Sequence, residues 1–249
     1  MKPTREKYVI NGEYTIERKL LHNEIIKLFL NDQPQQEQEP EAILLGGGSA
    51  AGKSSIGELV SKGYKYQKQN MVWIDPDKIK EQIPEYQELI ESGNIELMKQ
   101  AAFLVHDESS DITMKLLKIC MKRKINFMYD GTMKNEVKYK KLIQQLRLAG
   151  FSIKAIIVDV PIKVALERSN LRFKVTGRLV PQSIIEESHM KVATTFSKIK
   201  DLIDCYTLYD NTGKEPEVFA FKESKRVKEI IVDECRNNQF IEKSALVFK

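Results

Sequence analysis

The sequence is poor in cysteine and in long apolar runs, and each scarcity removes a class of protein. Its three cysteines, Cys120, Cys205 and Cys235, stand far apart with no C-x-x-C pair. That argues against a disulfide framework or a zinc site and fits a reducing cytoplasm. No apolar run approaches the ~20 residues a membrane span needs, so a soluble chain with no membrane partner is expected. The first residues, Met1 to Lys7, are charged and lack the apolar stretch of a signal peptide. Aromatic and basic residues do not interleave as in single-strand binders, and no internal repeat is found. The net charge of +5 is mild, and lysines such as Lys115, Lys118, Lys122 and Lys124 read as solvated helix faces. Phosphorylated small molecules, not nucleic acid, are the expected partners.

What is present is enough for one large α/β domain: 249 residues, 42% of them hydrophobic. The chain is organised around AILLGGGSAAGKSSIGEL, Ala42 to Leu59. A buried-strand run, Ala42 to Leu45, leads into G-x-x-x-x-G-K-S from Gly47 to Ser54, and Ile56, Leu59 and Val60 then supply a helical apolar face. This is the P-loop pattern. Small residues allow the backbone N–H groups of Gly47, Gly48, Ser49, Ala50, Ala51 and Gly52 to converge on phosphate oxygens, and the following helix adds its positive end. Lys53 is expected to hold the β and γ phosphates of ATP, and Ser54, followed by Ser55, to ligate Mg²⁺.

Upstream, Thr15 to Asn31 reads as an amphipathic helix with Thr15 as N-cap, and Asp32 to Glu41 (DQPQQEQEPE) has linker composition. His22 within that helix reads as a packed or surface histidine. The expected organisation is therefore an N-terminal helix and linker over 1–41 and a kinase domain over 42–249.

Downstream, the strand Met71 to Ile74 ends at Asp75-Pro76-Asp77. Ligands sit at the carboxyl ends of parallel strands, so one of these aspartates is a candidate base, while an Asp before a Pro-containing turn also suits a helix cap. Glu96 to Lys124 reads as a long helix or a broken pair, and its polar stretch His106 to Ser110 makes Glu108 and Ser109 candidate substrate contacts. The strand Ile125 to Tyr129 ends in Asp130-Gly131-Thr132. An acidic residue there suits a Walker B position for Mg²⁺, and Thr132 offers a hydroxyl to substrate. After the helix Val137 to Ala149 and the strand Ile153 to Val160, a helix from Pro161 carries Arg168 and Arg172 four apart, and Arg178 follows a glycine that can hinge. Arginines on such a closing segment belong over phosphates. Cys205 to Tyr209 and Val218 to Phe221 read as strands, and Ser224 to Lys249 as a helix and tail. The alternation indicates a P-loop three-layer α/β/α fold with a mainly parallel sheet, an N-terminal helical extension and an arginine-bearing lid.

From Thr15 to Gly213 these motifs, in order, resemble the zeta toxin family of P-loop kinases: YTIERKLLHNEII, GGGSAAGKSS, IDPDKIKEQIPEY, HDESS, YDGTMKN, ERSNLRFKVTGRLVP and YDNTG. The resemblance implies that Lys53 and Ser54 bind ATP phosphates and Mg²⁺, that Asp77 is the base, that Asp130 and Thr132 serve substrate or metal, and that the arginines stabilise the transferring phosphoryl group. It also implies a hydroxyl acceptor related to UDP-N-acetylglucosamine and an antitoxin partner. Asp130 stands where a glutamate is usual, and the arginine segment is more compact, so kinase chemistry transfers better than acceptor identity. The alternatives are a nucleic-acid 5′-hydroxyl kinase and a nucleotide-switched binding module; no N-K-x-D segment supports a GTPase.

Overall fold

The computed structural model describes residues 1–30, 39–67, 70–176 and 180–245. The chain begins with helix α1 (Thr4–Tyr8), a two-stranded hairpin β1 (Val9–Ile10) and β2 (Glu13–Tyr14), and helix α2 (Ile16–Leu30). The α/β body then runs β3 (Glu41–Gly47), α3 (Lys53–Tyr66), β4 (Val72–Ile74), α4 (Pro76–Lys80), α5 (Pro84–Glu91), α6 (Ile95–Leu104), α7 (His106–Arg123), β5 (Phe127–Asp130), α8 (Glu136–Leu148), β6 (Ser152–Asp159), α9 (Ile162–Thr176) and α10 (Gln182–Ile199). It closes with β7 (Cys205–Asp210), β8 (Glu217–Lys222), β9 (Ile230–Ile231) and α11 (Glu234–Ala245).

The main sheet has the order β4-β5-β3-β6-β7-β8-β9. Its first five strands are mutually parallel, and β8 and β9 add an antiparallel edge. Side chains alternate across a strand, so each strand feeds two cores. Ala42 and Leu44 of β3 and Phe127 and Tyr129 of β5 pack into a cluster with α2, α7, α8 and α10. Ile43, Leu45 and Met128 face the opposite side, where Ile56 of α3 and Ala165 of α9 cover them. This is the three-layer α/β/α arrangement expected of the alternation.

Glu96 to Lys124 is a broken pair: α6 ends at Leu104, Val105 is not helical in the α sense at φ −104° and ψ 3°, and α7 restarts at His106. Elements not foreseen are α1, the β1–β2 hairpin, α5, the long α10 and the edge strand β9.

The N-terminal helix docks on the body. Thr15 caps it, with its Oγ1 accepting from the Arg18 N–H at 3.3 Å. Ile25, Ile26 and Leu30 enter the larger core cluster, whereas Leu20 and Leu28 of the same helix are exposed. The buried face also carries ions. Arg18 donates to both oxygens of Glu108 at 2.5 and 2.8 Å and to both of Glu85 at 3.2 and 2.8 Å, with the Tyr8 ring 4.1 Å away. His22 is fully buried and lies 2.6 Å from Glu108 through Nε2, while Lys115 donates to its Nδ1 at 2.9 Å.

Candidate active site

Five parallel strands end along one edge of the sheet, and register decides which residues meet there. Leu45 lies opposite Asp130, Gly47 opposite Val158, and Asp159 opposite Asp210. Ile74 lies opposite Tyr129, so the chain leaves β4 with Asp75 beside Asp130.

Between β3 and α3 the chain forms a tight loop. Ala50 and Gly52 both adopt left-handed backbone, at φ 60° and 89°, and the Ala51 N–H donates to the Gly48 carbonyl at 3.2 Å. A left-handed alanine is uncommon and marks a segment held by its surroundings. The surroundings are identifiable. Ser49 gives its N–H to Ser188 Oγ at 2.8 Å and its carbonyl accepts from His189 Nε2 at 3.0 Å. Asn211 Nδ2 donates to the Ala51 carbonyl at 2.9 Å. A Cβ on Gly48 would overlap the His189 ring, and one on Gly52 would overlap the Asn211 amide, which is why both positions are glycine. Lys53 opens α3 and donates to the Gly47 carbonyl at 3.2 Å, and Ser54 and Ser55 stand exposed on the first turn.

Across from Lys53 lies an acidic group. Burial pushes the Asp130 carboxyl up to about 7, Asp75 and Asp77 add to the rise, and Lys53 opposes it. Asp75 is also raised, first by burial. Its Oδ1 accepts from the Asp77 N–H at 2.8 Å, so it caps α4, as a helix-capping aspartate should. Asp77 is exposed and takes a hydrogen bond from Lys80 at 2.7 Å. Thr132 is exposed beyond Asp130, in a turn shaped by Tyr139, whose hydroxyl accepts from the Met133 N–H at 3.2 Å.

Among the described residues, no three His, Cys, Asp or Glu side chains group closely enough to hold a metal by themselves. The donor set nevertheless fits a Mg²⁺ ion bound beside phosphate, which takes one or two protein ligands and completes its shell with phosphate and water. Asp130 is the donor to expect, since a carboxyl held near neutrality by burial and two other carboxylates gains most from a nearby cation.

Beside the loop opens a cavity of about 520 Å³, lined by Gly52, Ser55, Leu59, Arg168, Asn211 and Lys214 among others. Arg168 donates to the Asn211 and Thr212 carbonyls at 2.7 and 3.4 Å, and so borders the cavity next to the loop. Arg172 lies one turn further along α9, and Arg178 lies outside the described residues.

Glu108 and Ser109 require correction. Both are 0% exposed, in the first turns of α7. Burial alone would raise the Glu108 carboxyl, but hydrogen bonds from His22 and Arg18 outweigh it and hold the group at about 2. Ser109 Oγ donates back to the His106 carbonyl at 2.8 Å. A helix start tied to α2 is as polar in sequence as a segment crossing a crevice, and only the docking of Arg18 and His22 tells them apart. A signal did exist: Arg18 and His22 share a helix face with Ile25 and Ile26.

Residues not singled out from sequence also meet here. Ser188, His189 and Asn211 hold the loop, and Lys134, lowered by burial, lies close enough to feel Lys53. Asp159, 2% exposed, is held below the ordinary carboxylate range: burial would raise it, and His189 and Lys243 beside it more than offset that.

Comparison with known proteins agrees with this fold. The zeta toxin family model matches residues 27–221, well over half of the chain. A protein named Toxin PezT from Streptococcus pneumoniae serotype 4 is 26% identical over 188 residues, spanning 76% of this chain and 68% of that protein. An Arabidopsis thaliana protein named calmodulin calcium-dependent NAD kinase is 23% identical over 242 residues, and the match spans 79% of this chain and 45% of the plant protein. Among solved structures, the PezAT chromosomal toxin–antitoxin system of Streptococcus pneumoniae aligns with TM-score 0.69 at 18% identity, over 91% of this chain and 88% of that one. The AvrRxo1-ORF1:AvrRxo1-ORF2 complex with ATP aligns with TM-score 0.72 at 16% identity, over 98% and 83%. At such identities the structures speak to the fold alone.

Proposed function

The chain belongs to the zeta toxin family, and from that premise we propose that it transfers the γ-phosphoryl group of ATP to a hydroxyl of UDP-N-acetylglucosamine or a related nucleotide sugar. Family membership and fold support an ATP-dependent phosphotransferase. The observation that carries the reading is the opposition of Lys53 at the loop to Asp130 and its neighbours Asp75 and Asp77, all at one sheet edge.

In this reading the residues divide the work of phosphoryl transfer, which is mostly positioning and charge placement. Backbone N–H groups from Gly47 to Gly52 receive the phosphates, and Lys53 balances the β and γ charge. Ser54 and Asp130 would hold Mg²⁺, which when bound neutralises phosphate oxygens. Asp77, exposed and next to the acidic pair, accepts the proton of the acceptor hydroxyl as it attacks. Asp75 orients α4, and Asp75 and Thr132 face the acceptor side. Arg168 secures the nucleoside end of the cavity, and Arg172 and Arg178 supply positive charge to the transferring phosphoryl group.

A protein antitoxin is the partner this membership supports, since one aligned structure is of a toxin–antitoxin system. The name of the plant relative favours a second acceptor, NAD. Among the described residues no helix is long and apolar enough to cross a membrane.

The test is a phosphorylation assay with ATP and Mg²⁺ in which UDP-N-acetylglucosamine, NAD and a 5′-hydroxyl oligonucleotide are offered separately. Mass spectrometry should find one phosphoryl group added to the nucleotide sugar. Phosphorylated NAD or oligonucleotide instead would replace the acceptor and keep the chemistry. Tight ATP binding with no product from any acceptor, or from a metabolite extract, would favour a nucleotide-switched module.

A further inference from the structure

Building on the nucleotide site proposed above, we propose that His189 is a positioning residue for the phosphate loop, itself held by an ion cluster that the C-terminal helix α11 closes. The starting point is Ser49, whose two peptide groups are taken up by successive residues of α10. Its N–H is received by Ser188 Oγ at 2.8 Å, and that hydroxyl spends its own proton on the Ile185 carbonyl at 2.7 Å, leaving a lone pair for Ser49. The Ser49 carbonyl can only accept, so His189 Nε2, 3.0 Å away, carries the proton and donates it.

The other ring nitrogen makes no hydrogen bond and faces Asp159 across an electrostatic contact on the opposite side. His189 Nδ1 lies 3.6 Å from Asp159 Oδ1, and both residues are almost fully buried. Asp159 ends β6 next to the P-loop strand, so the ring bridges sheet edge and loop. Asp159 is in turn gripped by α11. Lys243 Nζ donates to both its oxygens at 2.7 Å and to the Val160 carbonyl at 2.8 Å, and Arg236 reaches Asp159 at 3.2 Å and Asp210 at 2.6 Å. Phe240 of the same helix packs 6.1 Å from Phe196 of α10, fixing the two helices together.

Two features give the cluster a role beyond packing. The loop contains a left-handed alanine, Ala50, directly after Ser49, a conformation that persists only where neighbours impose it. With the Ser49 and Ala51 carbonyls both committed to side chains of the scaffold, neither is left to oppose a bound phosphate. Moreover, α11 lies beyond residue 221, where the family match ends. A segment outside the matched region therefore supplies the cations that fix Asp159, the carboxylate facing the loop's histidine.

The device can be read with and without nucleotide in the full-length protein. Hydrogen–deuterium exchange of the ligand-free chain should be faster over residues 47–54 in His189→Ala and in Lys243→Met, with α7 unchanged. ATP affinity, measured by calorimetry, should fall about 10-fold or more in His189→Ala, the scale of losing a buried hydrogen bond and its preorganisation. The ATP KM should rise with it, while kcat at saturating ATP stays within about threefold. His189→Gln, whose amide can still donate to the Ser49 carbonyl, should restore most of the affinity. A folded His189→Ala protein with parental exchange over 47–54 would overturn the proposal, as would a glutamine variant no better than alanine. Parental exchange in Lys243→Met alone would remove α11 from it. If the parent chain binds no ATP yet its loop responds to these substitutions, the kinase reading fails and the brace stands.

Discussion

Glu108 and Asp130 are two carboxylates withdrawn from water around the same sheet, and their surroundings treat them oppositely. Glu108, under the docked α2, receives a bidentate guanidinium from Arg18 and an imidazole N–H from His22, and its carboxyl sits at about 2. Asp130, at the strand edge, has burial and two further carboxylates against it and only Lys53 in its favour, and sits at about 7. A fully partnered buried carboxylate holds the fold together. An under-partnered one beside a phosphate loop is poised for a ligand that brings positive charge.

The comparison predicts that edge residues can be removed with loss of activity but not of fold, and the docked cluster the reverse. The largest effect is expected at Lys53. Lys53→Ala should abolish turnover under saturating ATP and Mg²⁺ with the melting temperature kept, because the ammonium's hydrogen bond is to the loop carbonyl of Gly47 and not to the core. Next, Asp77→Asn should lower single-turnover transfer by roughly 10²–10⁴-fold with ATP binding retained, the usual yield of a general base. Asp75→Asn, which removes a negative charge beside the expected Mg²⁺ donor Asp130, should instead weaken the dependence on Mg²⁺ more than it suppresses transfer at saturating metal. Parental transfer in Asp77→Asn with loss in Asp75→Asn would reverse these roles.

In the docked cluster, Glu108→Ala leaves the buried Arg18 with Glu85 alone and the buried His22 Nε2 without its acceptor, and chemical denaturation should show a loss of about 3 kcal/mol. The double replacement Arg18→Met, Glu108→Leu should cost less than the sum of the two single changes, since the pair leaves together, while Glu85 and His22 each lose a partner in it. A double mutant as unstable as the sum of the singles would mean that the pair contributes no coupling.

The two carboxyls also predict opposite pH behaviour. Glu108, lowered on folding, contributes stability present above its unfolded value near 4.3 and lost as pH falls toward 2. Asp130, raised on folding, favours the folded state only below about 4, and its penalty grows as pH rises to 7. Asp130→Asn should therefore be more stable than the parent at pH 8, with a ceiling of about 4 kcal/mol, and equal to it near pH 4. Denaturation curves at the two pH values measure this directly. Last and smallest, Thr15→Ala should cost about 1 kcal/mol through the lost cap of α2 and leave kinetics unchanged.

Much of the site was legible because its logic is local. Gly47 to Ser54 lie within one turn and one helix start, and Asp75 and Asp130 each follow an apolar run, so strand order was not needed to aim them at one edge. Glu108 and His189 were not legible, for the same reason in reverse. Each is decided by residues far away in the chain, Arg18 and His22 for the first, Ser49 and Asp159 for the second.

Period, turn chemistry and the spacing of small residues specify β3, the loop and α3, the ends of β4 and β5, the helix capped by Thr15 and the family they resemble, because these depend on neighbours in sequence. Which polar groups are spent on holding the fold, and which stay open to a ligand, was settled by packing. Burial removes water from carboxyls in distant segments alike, and only the cations that tertiary contacts bring to each determine whether that carboxyl is satisfied or left waiting.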